Sequence, residues 1–330
     1  MSASDDKMSA EDRLIARFFE PLATHPGALG LSDDAAFITP PPGHDLVLTT
    51  DAIIGGVHFF PDDAAHTVAS KALRVNLSDL AAKGARPLGF LVSLGLPKDI
   101  GEAWLADFAH GLRNDAETFA CPLFGGDTVR TPGLVMVSVA TFGAVPEGTM
   151  VRRAGAMPGD RVFVTGTIGD AALGLLLRRG APWTLTDAQR QHLLSRYLLP
   201  QPRNALAEPV RTHASAAMDV SDGLAGDFAK LCRVSHVGAE ITAASVPLSE
   251  AARAVIAADP AMLETALTGG DDFEIVCTVP PPKADSFRAA AKAAHVRVTD
   301  IGEVTAGEGA RFLGADGKPL AFKSTSFSHF

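Results

Sequence analysis

Apolar runs of strand length alternate with helical periodicities in both halves of this chain, and the alternation stops for any length only at the start and between residues 146 and 160. Residues 11–20 carry a short amphipathic pattern that predicts a helix, and 21–44, rich in Gly, Pro and Asp, predicts a loop. Residues 45–50 (DLVLTT) predict a strand, 67–84 a helix closed by Gly84 and Pro87, and 88–96 a buried strand. From Trp104 onward, apolar residues recur at Leu105, Phe108, Leu112 and Phe119, the spacing of a helix lying on a core. Residues 122–124 then lead into a predicted Gly125-Gly126 turn, and 134–145 predicts another strand.

Residues 146–160 (PEGTMVRRAGAMPGD) combine turn formers with two arginines and no periodicity, so the domain boundary is placed here. This gives an N-terminal domain over 1–148 and a C-terminal domain over 149–330. In the second half strands are expected at 161–165, 215–220, 238–243, 272–279, 296–301 and 310–313. Helices are expected at 170–179, 187–198, 223–235, 249–258 and 283–294. Such an order predicts α/β or α+β layers, with helices covering one face of each sheet. A chain of 330 residues is long enough to bury two cores.

Charge and cysteine content exclude several classes. The net charge of −9 repels nucleic-acid phosphates and anionic membranes, and no run of Lys or Arg reverses it locally. One Tyr and two Trp leave little aromatic surface for stacking single strands. The first residues carry acids where a signal peptide needs positive charge, and no uninterrupted apolar stretch approaches the roughly 18 residues of a membrane span, so neither secretion nor membrane insertion is expected. The three cysteines form no C-x-x-C pair, which suggests neither a disulfide framework nor a structural zinc and fits a reducing cytoplasm.

The residues that carry chemistry are aspartates at the ends of apolar runs, beside Gly, Ser or Thr. Six segments show this: GLSDDA (30–35), TTD (49–51), NLSDL (76–80), GGDT (125–128), DVSDGL (219–224) and GGDDFE (269–274). Any one of them alone reads as an N-cap or turn, where a short carboxylate accepts from free backbone N–H groups. Asp79 resists that reading, because it lies inside the predicted 67–84 helix with Asn76 and Lys83 on its face. Lys83 could pair with Asp79, or the three could face a polar site. Converging carboxylates repel by roughly 4 kcal/mol per pair at about 4 Å and an effective dielectric near 20. Something positive must sit among them. Oxygen donors without His or Cys favour Mg²⁺, which usually shares its shell with water and substrate phosphates, so the pattern points to phosphoryl chemistry.

Glycines at 125–126, 166, 169 and 269–270 can bring bare backbone close to a phosphate. No G-x-x-x-x-G-K-[ST] occurs and no H-R-D with D-F-G, so neither standard nucleotide cradle is present. There is also no G-x-S-x-G and no H-E-x-x-H, and no His neighbours a cysteine, so covalent catalysis is not indicated.

Taken in order, these segments resemble the thiamine-monophosphate kinase family, within the aminoimidazole-ribonucleotide-synthetase-like ATP-binding superfamily. The resemblance runs from about residue 12 to the end. It rests on SDDA (32–35), TTDAIIGGVHF (49–59), KALRVNLSDLAAKGA (71–85), FGGDT (124–128), RRAGAMPGD (152–160), DVSDGL (219–224), GGDDFE (269–274) and the closing FSHF (327–330). The third and sixth recur in sister families and identify the superfamily better than the substrate.

The resemblance implies ATP-dependent phosphorylation of thiamine monophosphate to the diphosphate, by direct in-line transfer with several Mg²⁺ ions and ATP as co-substrate. It implies an N-terminal ATP- and magnesium-binding domain whose sheet forms a barrel across a homodimer. It further implies a C-terminal ferredoxin-like α/β domain completing the active site. Carried over by position, Asp34, Thr49, Thr50, Asp51, Asp79, Asp127, Asp219 and Asp222 resemble the metal site, with Asp51, Asp79, Asp127 and Asp219 central to catalysis and no covalent nucleophile. Gly126, Asp127, Arg153 and Ser221 resemble the nucleotide contacts, with the choice between Arg152 and Arg153 left open. His58, Asp271 and Phe327 fall where the family contacts its substrate, although a histidine also serves structurally and a phenylalanine usually packs in a core.

Three departures stand out: Ser32 replaces the usual Gly, Asp271 replaces the usual Glu, and an aromatic common in the ATP-base pocket is absent around 108–111. Two same-fold alternatives are aminoimidazole ribonucleotide synthetase and selenide, water dikinase. The second usually needs a reactive Cys or selenocysteine near the N-terminus, whereas the first cysteine here is Cys121. A non-catalytic cation- or nucleotide-binding protein is the alternative from another class.

Overall fold

The computed structural model describes residues 9–326. The chain divides into two compact units, Met1–Leu77 with Arg86–Glu147 and Ser78–Ala85 with Gly148–Phe330.

In the first unit α1 (Ala10–Leu14) precedes β1 (His44–Ile54), α2 (Ala65–Ala82, whose residues from Ser78 on belong to the second unit), β2 (Arg86–Leu96), α3 (Glu102–Thr118), β3 (Leu123–Arg130) and β4 (Met136–Pro146). The sheet order is β1-β4-β2-β3, with β4 antiparallel to both neighbours and β2 parallel to β3. Alternation along β2 sends Phe90, Val92 and Leu94 into a core with Leu73 and Leu77 of α2 and Phe108 and Leu112 of α3. Nearly every side of α2 is buried, which is why its residues are small and aliphatic rather than divided into two faces. The buried Asp115 of α3 takes paired bonds from Arg74, at 2.7 and 2.8 Å, so its charge is not left alone.

The opposite face of this sheet is partly exposed. Leu46 is 41% exposed, Leu48 66% and Val129 49%.

Two expectations fail here. The Gly125-Gly126 turn is the interior of β3, lying beside Leu91-Val92 of β2. A Cβ at Gly126 would stand 1.8 Å from the Val92 carbonyl oxygen, so glycine serves close strand approach rather than a turn. The 11–20 helix is also short: a π-turn follows at Ile15–Phe19 and a 3-10 turn at Glu20–Leu22, with Pro21 preventing continuation.

The second unit contains β5 (Arg161–Thr165), α4 (Asp170–Arg178), α5 (Asp187–Leu198), α6 (Ala207–His213), β6 (Ala216–Val220) and α7 (Leu224–Ser235). There follow β7 (Gly238–Thr242), α8 (Glu250–Ala258), α9 (Met262–Thr268), β8 (Glu274–Val279), α10 (Ala284–Ala293), β9 (Val298–Thr305) and β10 (Gly309–Leu313). Its six-stranded sheet runs β10-β7-β9-β5-β8-β6, antiparallel except for the β10–β7 pair. Every residue of β6 and β8 is buried. Met218 and Val276 pack with Phe228 of α7, while Ala217 and Cys277 share a cluster with Phe287 of α10 and Val210 of α6. Helices therefore cover both faces here, correcting the expectation of one. Continuous apolar runs are what doubly covered strands require. The unpredicted α6 and α9 have seven residues each, too short for a periodicity to show.

A polar knot joins α4, α5 and α8. The fully buried Asp170 accepts from His192 Nε2 at 2.9 Å, from Thr167 Oγ1 at 2.6 Å and from Ser249 Oγ. Burial alone would raise Asp170, but these bonds outweigh it and hold the carboxyl below its ordinary 3.8; the same hydrogen bond raises His192 above 6.5. The histidine's contribution is fully present below its unfolded value and is lost as pH rises through the raised folded value. The aspartate's contribution is lost only as pH falls through its depressed value. His192→Gln will accordingly lower Tm more at about pH 5.5 than at about pH 8.5. Equal losses at both pH values, in parallel melts with wild type, would show that the imidazolium charge contributes nothing.

Candidate functional site

The first unit holds a cleft of about 850 Å³, lined by residues 33–38 and by residues of β1, β2 and β3. Asp33, Asp34 and Asp127 line it together with Leu48, Ser93 and Phe124. Asp33 Oδ1 accepts the Asp34 N–H at 2.7 Å, and Asp127 Oδ1 accepts the Thr128 N–H at 2.8 Å, so each acid orders its own backbone and keeps an oxygen available. Gly126 lies on the same strand, between Leu123 and Arg130.

Asp51 sits elsewhere. It faces Val139 across β4, which in turn faces Val92, whereas Asp127 pairs with Ser93. Residues opposite each other share a face, so Asp51 lies on the side of Val47 and Ile53 and Asp127 on the other. Their strands are also the two edges of the sheet, about 14 Å apart at three strand spacings. The sheet therefore does not bring Asp51 and Asp127 to one ion within this unit. Thr49 shares the Asp51 side of β1, and Thr50, on the other, donates its hydroxyl to the Val139 carbonyl at 3.0 Å. Beyond β1 the chain turns through His58, whose Nδ1 accepts the Ile54 N–H at 3.0 Å and whose carbonyl accepts from Lys71 Nζ at 2.9 Å.

The second unit gathers the other motifs at one end of its sheet. The loop after β6 carries Ser221 and Asp222, and the loop before β8 carries Asp271. Asp271 N–H donates to Ser221 O and Phe273 N–H to Val220 O, both at 2.8 Å, zipping the two loops together. A Cβ at Gly270 would stand 2.5 Å from Ser221 O, so only glycine permits this approach. The last turn of α2 joins them: Ser78 Oγ donates to Phe273 O at 3.3 Å, and Lys83 Nζ to Ala217 O at 2.8 Å. Asp79, Asp219, Ser221, Asp222 and Asp271 thus lie on segments held against one another.

Lys83 lies within electrostatic reach of both Asp219 and Asp79. Burial pushes its ammonium down to about 8, Asp219 and Asp79 pull it up, and Arg153 pushes it further down. Arg153 therefore lies within electrostatic reach of this cluster. The preceding Arg152 accepts the Ala217 N–H at its carbonyl, at 3.0 Å, which lays the arginine pair along β6.

Asp222 is engaged by Lys230 at 2.6 Å, and Lys230 also binds the buried Asp227 at 2.9 Å. Asp227 Oδ2 accepts the N–H groups of Ser221 and Asp222, and burial keeps its carboxyl above the ordinary range. The sequence reading missed Asp227, Lys230, Asp272 and Glu274. An Asp among apolar residues with Lys three positions later was the available signal for the first pair, while Asp272 and Glu274 were inside a motif already noted.

The donors are hard carboxylate oxygens, which suit Mg²⁺. Among the described residues no group of three or more His, Cys, Asp or Glu is arranged to hold a metal ion. A magnesium ion fits as one sharing its shell with phosphates and water, not as one caged by protein. All three cysteines are buried, and burial pushes each thiol up to about 12, which removes a thiolate from the chemistry. Phe327 lies outside the described residues. Among the described residues no helix is long and apolar enough to cross a membrane.

Comparison with known proteins adds three kinds of likeness. Residues 32–145 match the family model "AIR synthase related protein, N-terminal domain" and residues 157–314 match its C-terminal counterpart. The thiamine-monophosphate kinase of Caulobacter vibrioides is 45% identical over 311 residues, 92% of this chain and 87% of that protein. That of Escherichia coli K12 is 37% identical over 97% of this chain and 98% of its own. Among solved structures, thiamine-monophosphate kinase from Stenotrophomonas maltophilia aligns with a TM-score of 0.83 at 36% identity, covering 95% of this chain and 98% of that one. AaThiL complexed with AMPPCP and TMP aligns at 0.75 and 32% identity, covering 90% of this chain and 91% of the other.

Proposed function

From the premise that this chain belongs to the thiamine-monophosphate kinase family, we infer that it transfers the γ-phosphoryl group of ATP to thiamine monophosphate, giving ADP and thiamine diphosphate. The observation that carries this reading is the zipping of the Asp219–Asp222 and Asp271 loops, in a chain similar to these kinases over nine-tenths of its length. During transfer a phosphate oxygen of the substrate forms a new P–O bond to the γ-phosphorus as the β,γ-bridging bond breaks, and the electron pair leaves with ADP. No protein nucleophile is needed.

The residue roles follow from position and chemistry. Gly126 and Asp127 of the first unit and Arg153 and Ser221 of the second are assigned to the nucleotide. Asp34, Asp51, Asp79, Asp127, Asp219 and Asp222, with Thr49 and Thr50, would hold magnesium. When bound it supplies charge neutralisation of the phosphates and a template for alignment. His58, Asp271 and Phe327 are assigned to the substrate. Lys83 and Lys230 offset the acids' repulsion, and Asp227 fixes the Ser221–Asp222 backbone by accepting both N–H groups.

The partly exposed face of the first sheet supports a homodimer in which two such sheets close a barrel, removing Leu46, Leu48 and Val129 from water. The C-terminal unit is assigned to the ferredoxin-like class that completes the site, and the reaction to the cytoplasm, in keeping with three unpaired cysteines. Leu48→Asp will shift the protein to monomer in sedimentation at micromolar concentration; an unchanged dimer would place the interface elsewhere.

Purified protein with ATP, MgCl₂ and thiamine monophosphate should yield ADP and thiamine diphosphate in equal amounts by mass spectrometry. No diphosphate above background from the folded protein would overturn the reading.

A further inference from the structure

The loop that carries Asp271 has an unusual backbone. Asp271 has φ +74° and Phe273 φ +49°, so two residues with a Cβ occupy the left-handed region on either side of Asp272. Left-handed conformations of such residues persist only where the surroundings over-determine them.

What determines this one is a set of buried groups that the proposed reaction does not use. Asp272 is 1% exposed, and its Oδ2 accepts the Gly169 N–H at 2.6 Å and its Oδ1 the Ala171 N–H at 3.3 Å. These N–H groups open α4, where unsatisfied donors and the helix dipole favour a carboxylate. The Asp272 carbonyl accepts from Arg196 Nη2 at 3.2 Å, and the same nitrogen binds Glu274 Oε1 at 2.8 Å. Asp272 is therefore tied at its side chain to α4 and at its backbone to α5. Its two neighbours are tied at their N–H groups to Ser221 and Val220. Burial drives the Asp272 carboxyl well above its ordinary range, which helix-end donors at Gly169 and Ala171 offset only in part. A group this costly to bury does more than fill space.

We infer that Asp272, seated on the first turn of α4 and backed by Arg196, is a positioning residue for substrate binding: it holds Asp271 in the left-handed conformation that presents its carboxylate to thiamine monophosphate. The inference rests on the assignment of Asp271 to the substrate. Asp272 itself touches no substrate; it acts through the backbone of its neighbour.

Asp272→Asn keeps the size of the side chain but cannot accept at both α4 N–H groups. With assays run below the melting transition, its KM for thiamine monophosphate should rise at least tenfold while KM for ATP stays within twofold. A purely structural Asp272 would lower Tm and leave both constants alone, and that result would overturn the inference. Asp271→Ala tests the underlying assignment: an unchanged KM for thiamine monophosphate removes it, and the inference falls with it. If Asp271→Ala raises that KM and Asp272→Asn does not, the assignment stands and the inference alone fails. In the double variant Asp272→Asn should add no more than twofold to the effect of Asp271→Ala, because both act through one carboxylate; multiplying effects would overturn the inference. Should Asp272→Asn fail to fold, Arg196→Met gives the second test. Glu274 keeps its bonds to Arg203, so no buried acid is orphaned, and KM for thiamine monophosphate should again rise about fivefold or more with KM for ATP unchanged. No change would overturn the inference.

Discussion

Asp51→Asn will lower kcat by at least about 100-fold, roughly 2.7 kcal/mol of transition-state stabilisation, while Tm moves by no more than about 2 °C. The two halves of this result have different origins. Asp51 is exposed on an edge strand, so an isosteric amide disturbs no packing and the fold is kept. Loss of one negative oxygen removes a hard donor from the group assigned to magnesium, and an amide oxygen binds Mg²⁺ far less well than a carboxylate. The half-saturating magnesium concentration should rise about tenfold or more in the same variant, which separates a metal role from a general electrostatic one. Turnover within twofold of wild type, worth only about 0.4 kcal/mol, would remove Asp51 from the metal site. A matching loss from Asp127→Asn is not required, because the sheet places the two acids on opposite faces and opposite edges.

That separation was not legible in the sequence, and the reason is physical. TTD and GGDT each announce a carboxylate at the end of an apolar run, but which face it takes depends on strand register. Register is fixed by pairing with β4 and β2, and a slip of one residue would exchange the faces. The Gly125-Gly126 pair misled for a related reason: glycine marks a turn and a close strand contact equally well in one dimension. The helix α3 was legible because its seventeen residues carry the periodicity several times over, and α2 because Gly84 and Pro87 mark its end. The clustering of Asp79, Ser221 and Asp271 could be expected from the family resemblance, but its means could not. It depends on Ser78, Lys83 and Gly270 reaching backbone carbonyls on distant segments, contacts with no sequence signature. Asp272 and Glu274 were visible as letters in GGDDFE, yet the eye goes to the acid that can meet a ligand, and both of these turn into the protein.

Glu274→Ala will destabilise the fold by about 3–5 kcal/mol, the cost of stripping a buried ion pair of one partner. Glu274 is fully buried and binds Arg203 through both oxygens, Arg196 at 2.8 Å and Thr165 Oγ1 at 2.6 Å. Its removal leaves two guanidinium groups facing one another in a site where Arg196 is 9% and Arg203 23% exposed at the side chain. Arg196 Nε already has no partner, so it cannot absorb a further loss. For a unit of this size the cost corresponds to a fall in Tm of roughly 6–20 °C. Asp300→Ala gives the contrast. Asp300 also meets two arginines, Arg161 and Arg288, but those side chains are 35% and 44% exposed, water replaces the lost partner, and the cost should stay below about 1 kcal/mol. Melts of the two variants decide whether burial or the mere count of ion pairs governs stability in this sheet. Equal losses, or less than about 1 kcal/mol from Glu274→Ala, would mean that water reaches the arginines and that the cluster is no lock. The order of effects should invert in catalysis. Glu274→Ala leaves the Asp272 carboxylate on α4 and acts mainly through the fraction folded, whereas Asp272→Asn acts mainly through KM for thiamine monophosphate.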